Sequence, residues 1–143
     1  MNNPQSHEQL LALFRSFRRS LNLGAVHRLK PLGIGPKQAA VMMCIRQYGP
    51  VPAVKLAEET WSDPAAITRV VEVLVENGLL AKKGNESDRR KWVIDLTAKG
   101  RQVVRRIAAL QTQFSKQVFG KLAKREQSAL MNVMGKLIKK AEG

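Results

Sequence analysis

Two groups of side chains in this chain have types and spacing that suit contact with a polyanion. In Asp88-Arg89-Arg90-Lys91, followed by Trp92-Val93-Ile94, a carboxylate and a guanidinium stand two residues apart. In an extended segment such residues share a side, so Asp88 can hold Arg90 in one orientation. A pre-oriented arginine on a narrow tip suits the minor groove of DNA, where an A·T tract concentrates negative potential. Arg89 and Lys91 then face the other way, toward phosphate or water. Upstream, Arg69 could reach guanine in a major groove, Ala65 and Ala66 permit close approach to thymine methyls, and Ser62 and Thr68 could meet phosphates or bases. Each group has a plainer reading. The basic triplet alone fits a solvated turn, and Arg69 fits a surface ion pair with Glu72 three residues on.

The elements around these residues favour the DNA reading. Asp63-Pro64 is a helix N-cap followed by proline at the first helical position. The helix from about Pro64 to Glu76 places Ile67, Val70, Val71 and Leu74 on one stripe, opposite Ala65, Thr68, Arg69, Glu72 and Glu76. A short helix over Val54–Glu59 and a turn at Trp61-Ser62 precede it, which makes a helix-turn-helix. Trp61 is expected to pack within that turn rather than to stack on DNA. Gly78 supplies the left-handed residue that ends a helix, Gly84-Asn85-Glu86-Ser87 is turn chemistry, and Val93 and Ile94 have strand propensity. A two-stranded ribbon with a basic tip after a helix-turn-helix is a winged helix.

Further helices flank this unit. Leu10, Phe14, Phe17 and Leu21 recur at helical spacing from about Gln9 to Arg28. Pro31 and Gly33-Ile34-Gly35-Pro36 stop that helix, and Pro36 begins a second, with Gln38 placed to reach back to its cap. Pro50-Val51-Pro52 is an extended link. Thr97 can cap a long helix carrying Val103, Ile107, Leu110, Phe114 and Val118, and a last helix carries Leu130, Val133, Met134, Leu137 and Ile138. The terminal helices have apolar faces that a small monomer covers poorly, so dimerisation through both chain ends is expected.

Lys and Arg number 25 against 11 Asp and Glu, a formal charge of +14 in 143 residues, which calls for a polyanionic partner. The first third of the chain has one acidic residue, Glu8. An anionic membrane is the rival partner, using Lys136, Lys139 and Lys140 of the last helix, though those lysines also suit a helix C-terminus. RNA is disfavoured by an aromatic content of 5% without a strand-borne platform. The single cysteine, Cys44, sits at a position the helical period buries, fits a reducing cytoplasm and reads as structural. His7 and His27 with one cysteine make no metal set, and no glycine-rich phosphate loop, nucleophile elbow or paired carboxylates suggest an enzyme. No cofactor, metal, secretion signal or membrane span is expected.

Gln38 with Val41, Leu56-Ala57-Glu58, Thr68-Arg69 with Leu74, Asn77-Gly78-Leu79-Leu80, and Asp88-Arg89-Arg90 leading to Leu96-Thr97-Ala98-Lys99-Gly100 together resemble the multiple antibiotic resistance regulator (MarR) family of bacterial transcription factors. The resemblance runs from about Leu10 to Ile138. It implies a mainly α (α+β) fold in one domain over 1–143, with a winged-helix lobe at about 36–98 and helical dimerisation regions at about 5–30 and 99–143. It also implies a cytoplasmic homodimer that binds a near-palindromic double-stranded DNA operator, usually as a repressor. The DNA contacts would come from Ser62, Ala65, Ala66, Thr68, Arg69, Asp88, Arg89, Arg90 and Lys91. A small aromatic or phenolic effector would sit between the first, second and fifth helices, with Phe14, Phe17, His27 and Met43 as candidate lining. Val73 stands where members often carry a second arginine, and Trp61 where they often carry glycine or an aliphatic residue. A non-specific architectural nucleic-acid-binding protein is the alternative.

Overall fold

Asn3-Pro4 and Asp63-Pro64 begin helices in the same way: the side-chain oxygen of Asn3 accepts from Gln5 N at 3.2 Å and that of Asp63 from Ala66 N at 2.9 Å. Proline follows at a position whose missing N–H is not needed. The computed structural model describes residues 3–84, 87 and 92–143. Its elements are α1 (Pro4–Leu29), a short 3-10 turn (Lys30–Leu32), α2 (Pro36–Tyr48), α3 (Ala53–Glu59), α4 (Pro64–Glu76), β1 (Leu80–Lys83), β2 (Val93–Leu96), α5 (Ala98–Phe119) and α6 (Lys124–Glu142). The first helix starts five residues before the apolar period does, because the Asn3 cap rather than the period sets its origin. At the start of α2, Gly35 N donates to Gln38 Oε1 at 3.0 Å, as the sequence predicts.

The described residues fall into two units, Met1–Ile107 and Ala108–Gly143. Within the first, the core is built from Val41, Met42, Cys44 and Ile45 of α2, Leu56 and Ala57 of α3, Ile67, Val71 and Leu74 of α4, Leu80, Ile94 and Leu96 of the ribbon, and Val104 and Ile107 of α5. The apolar stripe read from α4 is the face that is buried, so its opposite face is left to solvent. Burial raises the Cys44 thiol pKa, with the nearby Glu59 carboxylate adding to the shift, which keeps the sulfur protonated and unreactive.

Strands β1 and β2 pair antiparallel, Leu80 opposite Leu96 and Lys83 opposite Val93. The ribbon is wider than expected. Val51 exchanges both backbone hydrogen bonds with Ile94, its N donating at 3.2 Å and Ile94 N returning one at 2.8 Å. Pro50 and Pro52 have no N–H to extend the pairing, so the addition stops at one residue.

In α1 the apolar side chains Leu10, Leu11, Phe14 and Phe17 are exposed, and burial begins at Leu29. Within Ala108–Gly143, the second half of α5 turns into α6. Gln127 Nε2 donates to the carbonyls of Phe119 and Leu122, each at 3.1 Å, and Ala123 N donates to Glu126 Oε1 at 2.9 Å. Leu130, Met131, Val133, Leu137 and Ile138 of α6 are all exposed. Among the described residues, no helix is long and apolar enough to cross a membrane.

Candidate nucleic-acid interface

The turn between α3 and α4 is held by side chains far apart in sequence. Lys37, in the first turn of α2, extends its ammonium to Thr60 O at 3.0 Å and to Ser62 Oγ at 2.7 Å. Thr60 Oγ1 donates to Leu56 O at 2.6 Å, Ser62 Oγ to Thr60 O at 3.1 Å, and Ser62 N to Ala57 O at 3.0 Å. At the centre of these bonds Trp61 has φ 52°, the left-handed region that a bulky residue enters at a cost of about 1–3 kcal/mol. The expectation that Trp61 packs in the turn is overturned, because it is 89% exposed. A left-handed backbone directs the chain from α3 into α4 here, and the indole is left outside the core.

From this turn α4 presents Ala65, Thr68, Arg69, Glu72 and Val73 to solvent, with Ala66 half-buried beside them. Arg69 and Glu72 do not form the ion pair their spacing permits; among the described residues the ion pairs are Lys55–Glu59 and Lys83–Asp95, each at 3.0 Å. The guanidinium of Arg69 is thus available on an exposed helix face. The hydroxyls expected to contact DNA are engaged internally: Thr68 Oγ1 donates to Pro64 O at 2.9 Å, and Ser62 belongs to the Lys37 cluster. Each must rotate its O–H before it can donate to a phosphate.

At the end of α2, Tyr48 donates its hydroxyl to Glu59 Oε2 at 3.1 Å, while Lys55 pairs with Glu59 and sits 4.5 Å from the Tyr48 ring centroid. The bond to Glu59 holds the phenol above its usual pKa, and this cluster ties α2 to α3.

The base of the ribbon is joined to α4 and α5. Gly78 closes α4 at φ 73°, which a residue with a Cβ resists. Thr97 Oγ1 donates to Gly78 O at 2.6 Å and accepts from Gly100 N at 3.0 Å, while Thr97 N donates to Leu79 O at 3.1 Å. Lys99 Nζ reaches Asn77 O at 3.1 Å, and Arg101 Nη1 reaches Leu96 O at 2.9 Å. Gly100 packs directly on Leu79, leaving no room for a methyl group. On the ribbon, Lys82 Nζ lies 5.8 Å from the Trp92 ring centroid, within cation–π range. The Lys83 ammonium, which donates to Asp95, holds that carboxyl below its usual pKa. Asp88, Arg89, Arg90 and Lys91, the expected tip contacts, lie outside the described residues.

The candidate effector residues are spread along α1 and α2. Phe14 and Phe17 are exposed and three residues apart on α1, His27 is exposed and Met43 is half-buried in α2. His27 lies ten residues beyond Phe17, about 15 Å along the helix axis, which a single small ring does not span. A separate cleft of about 370 Å³ is lined by Ile45, Arg46, Asp95, Leu96, Arg101, Val104 and Arg105. Sequence reasoning missed this cleft and the Lys37 anchor. Arg46, Arg101 and Arg105 share the cleft's lining, which no local pattern in the sequence announces.

Residues 34–92 match the sequence pattern of the MarR family. The HTH-type transcriptional regulator YhbI of Bacillus subtilis is 30% identical over 115 residues, 80% of this chain and 75% of that protein. The HTH-type transcriptional repressor NicR of Pseudomonas putida is 28% identical over 101 residues, 71% of this chain and 64% of that protein. Among solved structures, Bordetella bronchiseptica BpsR, described in connection with regulation of its DNA binding by 6-hydroxynicotinic acid, has a TM-score of 0.81. Its identity is 26%, and the match covers 90% of this chain and 98% of that one.

Proposed function

The chain belongs to the MarR family of transcriptional regulators, and we propose that it acts in the cytoplasm as a homodimeric repressor whose hold on an operator is released by a small aromatic acid. The observation that carries the DNA-facing assignment is the exposed face of α4. Asp63 caps the helix, its apolar stripe is turned to the core with Ile67, Val71 and Leu74 buried, and Ala65, Thr68 and the unpaired Arg69 remain outward. Arg69 contacts a base edge in the major groove, Ala65 and Ala66 allow close approach to thymine methyls, and Ser62 and Thr68 contact phosphates or bases after rotation. Arg90, oriented by Asp88, enters the minor groove, with Arg89 and Lys91 on phosphate.

Dimerisation is supported by the exposed apolar rows of α1 and α6. Two copies related by a two-fold axis would bring two α4 helices to successive major grooves about 34 Å apart. A near-palindromic operator would match that symmetry. Repression is supported by the relative named as a repressor, NicR. An aromatic acid is supported by the BpsR relative and by the Arg46, Arg101 and Arg105 side chains around the cleft, which could receive a carboxylate. Phe14, Phe17, His27 and Met43 are an alternative lining for the ring, at a place apart from this cleft.

Gel-shift binding to the DNA flanking the chain's own gene, in a salt series with random-sequence competitor, tests this reading. A competitor-resistant complex dissociated by hydroxylated aromatic acids is expected. Binding that is salt-labile and indifferent to sequence would favour an architectural role instead.

A further inference from the structure

We propose that Trp61 is a DNA-backbone contact, with its indole laid on a deoxyribose and Nε1–H donated to a phosphate oxygen at the rim of the major groove entered by α4. The proposal rests on the regulator reading and adds a residue to its interface. Trp61 stands two residues before the Asp63 cap, at the edge of the surface formed by Ala65, Thr68 and Arg69. It is 89% exposed, so burial in this lobe does not explain it.

The backbone that carries the indole is held in place. Lys37, Thr60 and Ser62 fix the backbone on either side of it, and the ring hangs from a residue at φ 52°. A turn whose only need was a left-handed residue would be served better by glycine or asparagine. A strained, exposed tryptophan is therefore placed against the interest of the fold. Indole chemistry fits one class of partner at this position: it has a donor and no acceptor, as a phosphate requires, and an apolar face, which a sugar edge covers. Such a contact releases no counterion. Its loss weakens binding without changing the salt slope, unlike the loss of a lysine or arginine.

The test uses the full chain with Trp61→Gly and Trp61→Phe, against a duplex enriched from a random-sequence pool by the unaltered protein and a scrambled duplex of equal length. Trp61→Gly is expected to bind both duplexes roughly tenfold more weakly, about 1.4 kcal/mol, at every salt concentration. Its log–log salt slope should match that of the parent, and its thermal midpoint should be equal or higher because the strained backbone is relieved. Trp61→Phe keeps an apolar face without the donor and should fall between. Unchanged affinity in Trp61→Gly would overturn the proposal. A loss confined to the enriched duplex would overturn the backbone assignment, and a lowered thermal midpoint would make Trp61 a structural residue instead. Failure of the protein to enrich any duplex would overturn the regulator reading itself and this inference with it.

Discussion

Gly100→Ala is the substitution whose effect can be worked most directly from the structure. Gly100 lies in the first turn of α5, where alanine is ordinarily the better helix former by about 1 kcal/mol. Here the added methyl would overlap the carbonyl oxygen of Leu79, and lie 3.1 Å from its carbonyl carbon and 3.3 Å from Leu96 Cδ2. Leu79 cannot readily retreat. Its side chain is buried, and its carbonyl receives the Thr97 N–H at 3.1 Å. Overpacking of this kind costs about 1–3 kcal/mol and sometimes more, and the clash is with backbone rather than a flexible side chain, so the upper part of that range applies. After the helical gain, a net loss of about 2 kcal/mol remains, or a fall of roughly 4–8 °C in thermal midpoint for a chain of this size. Urea unfolding followed by circular dichroism, at matched protein concentration, measures it. An alanine variant as stable as the parent would refute the close approach of α5 to the base of the ribbon. The comparison substitution is Gly135→Ala in α6, where a methyl meets nothing within 4 Å. It should stabilise the isolated chain, and destabilisation would indicate that a second protomer covers that face.

Thr97→Ala removes the cap of α5 and the donor to Gly78 O together, and should cost about 1–2 kcal/mol in chemical denaturation. Lys83 lowers the Asp95 pKa, so the stability from this pair is complete above about pH 4 and lost as pH falls through the lower folded-state value. Asp95→Asn should therefore flatten the acid limb of the stability profile, and an unchanged limb would exclude the pair as its source. Arg90→Ala should leave the fold intact and weaken operator binding by roughly 1–3 kcal/mol in gel shifts; equal binding would remove Arg90 from the interface. Truncation after Leu122 should give monomer or aggregate by light scattering, and a well-behaved dimer would contradict the role assigned to α6.

Legibility in the sequence followed the range of the interaction. The Asp63 cap, the Gln38 return to Gly35, the left-handed Gly78 and the Thr97 cap all depend on neighbours within a few residues, and each is found as read. The same rule at Asn3-Pro4 was available but was hidden by reliance on apolar spacing. Lys37 joins Thr60 and Ser62 across 23 and 25 residues, and no local pattern announces it. Arg46 and Arg105 likewise line one cleft only because α2 and α5 both border it. Trp61 was misread because size and apolarity argue for burial, whereas the path of the chain from α3 to α4 decides its exposure.

The joint at Thr97 makes α4 a lever. Thr97 and Lys99 fasten the Asn77-Gly78 segment that ends α4 to the start of α5, while Trp61 and Asp63 lie at the opposite end of α4. Over its 13 residues α4 is about 20 Å long, so a 10° tilt delivered through α5 would sweep the far end by on the order of 3 Å. Hydrogen bonds to bases fail over such a distance. The residues of α4 and its leading turn assigned to DNA stand toward the end where a small rotation is magnified, and those that receive the rotation stand where it is not.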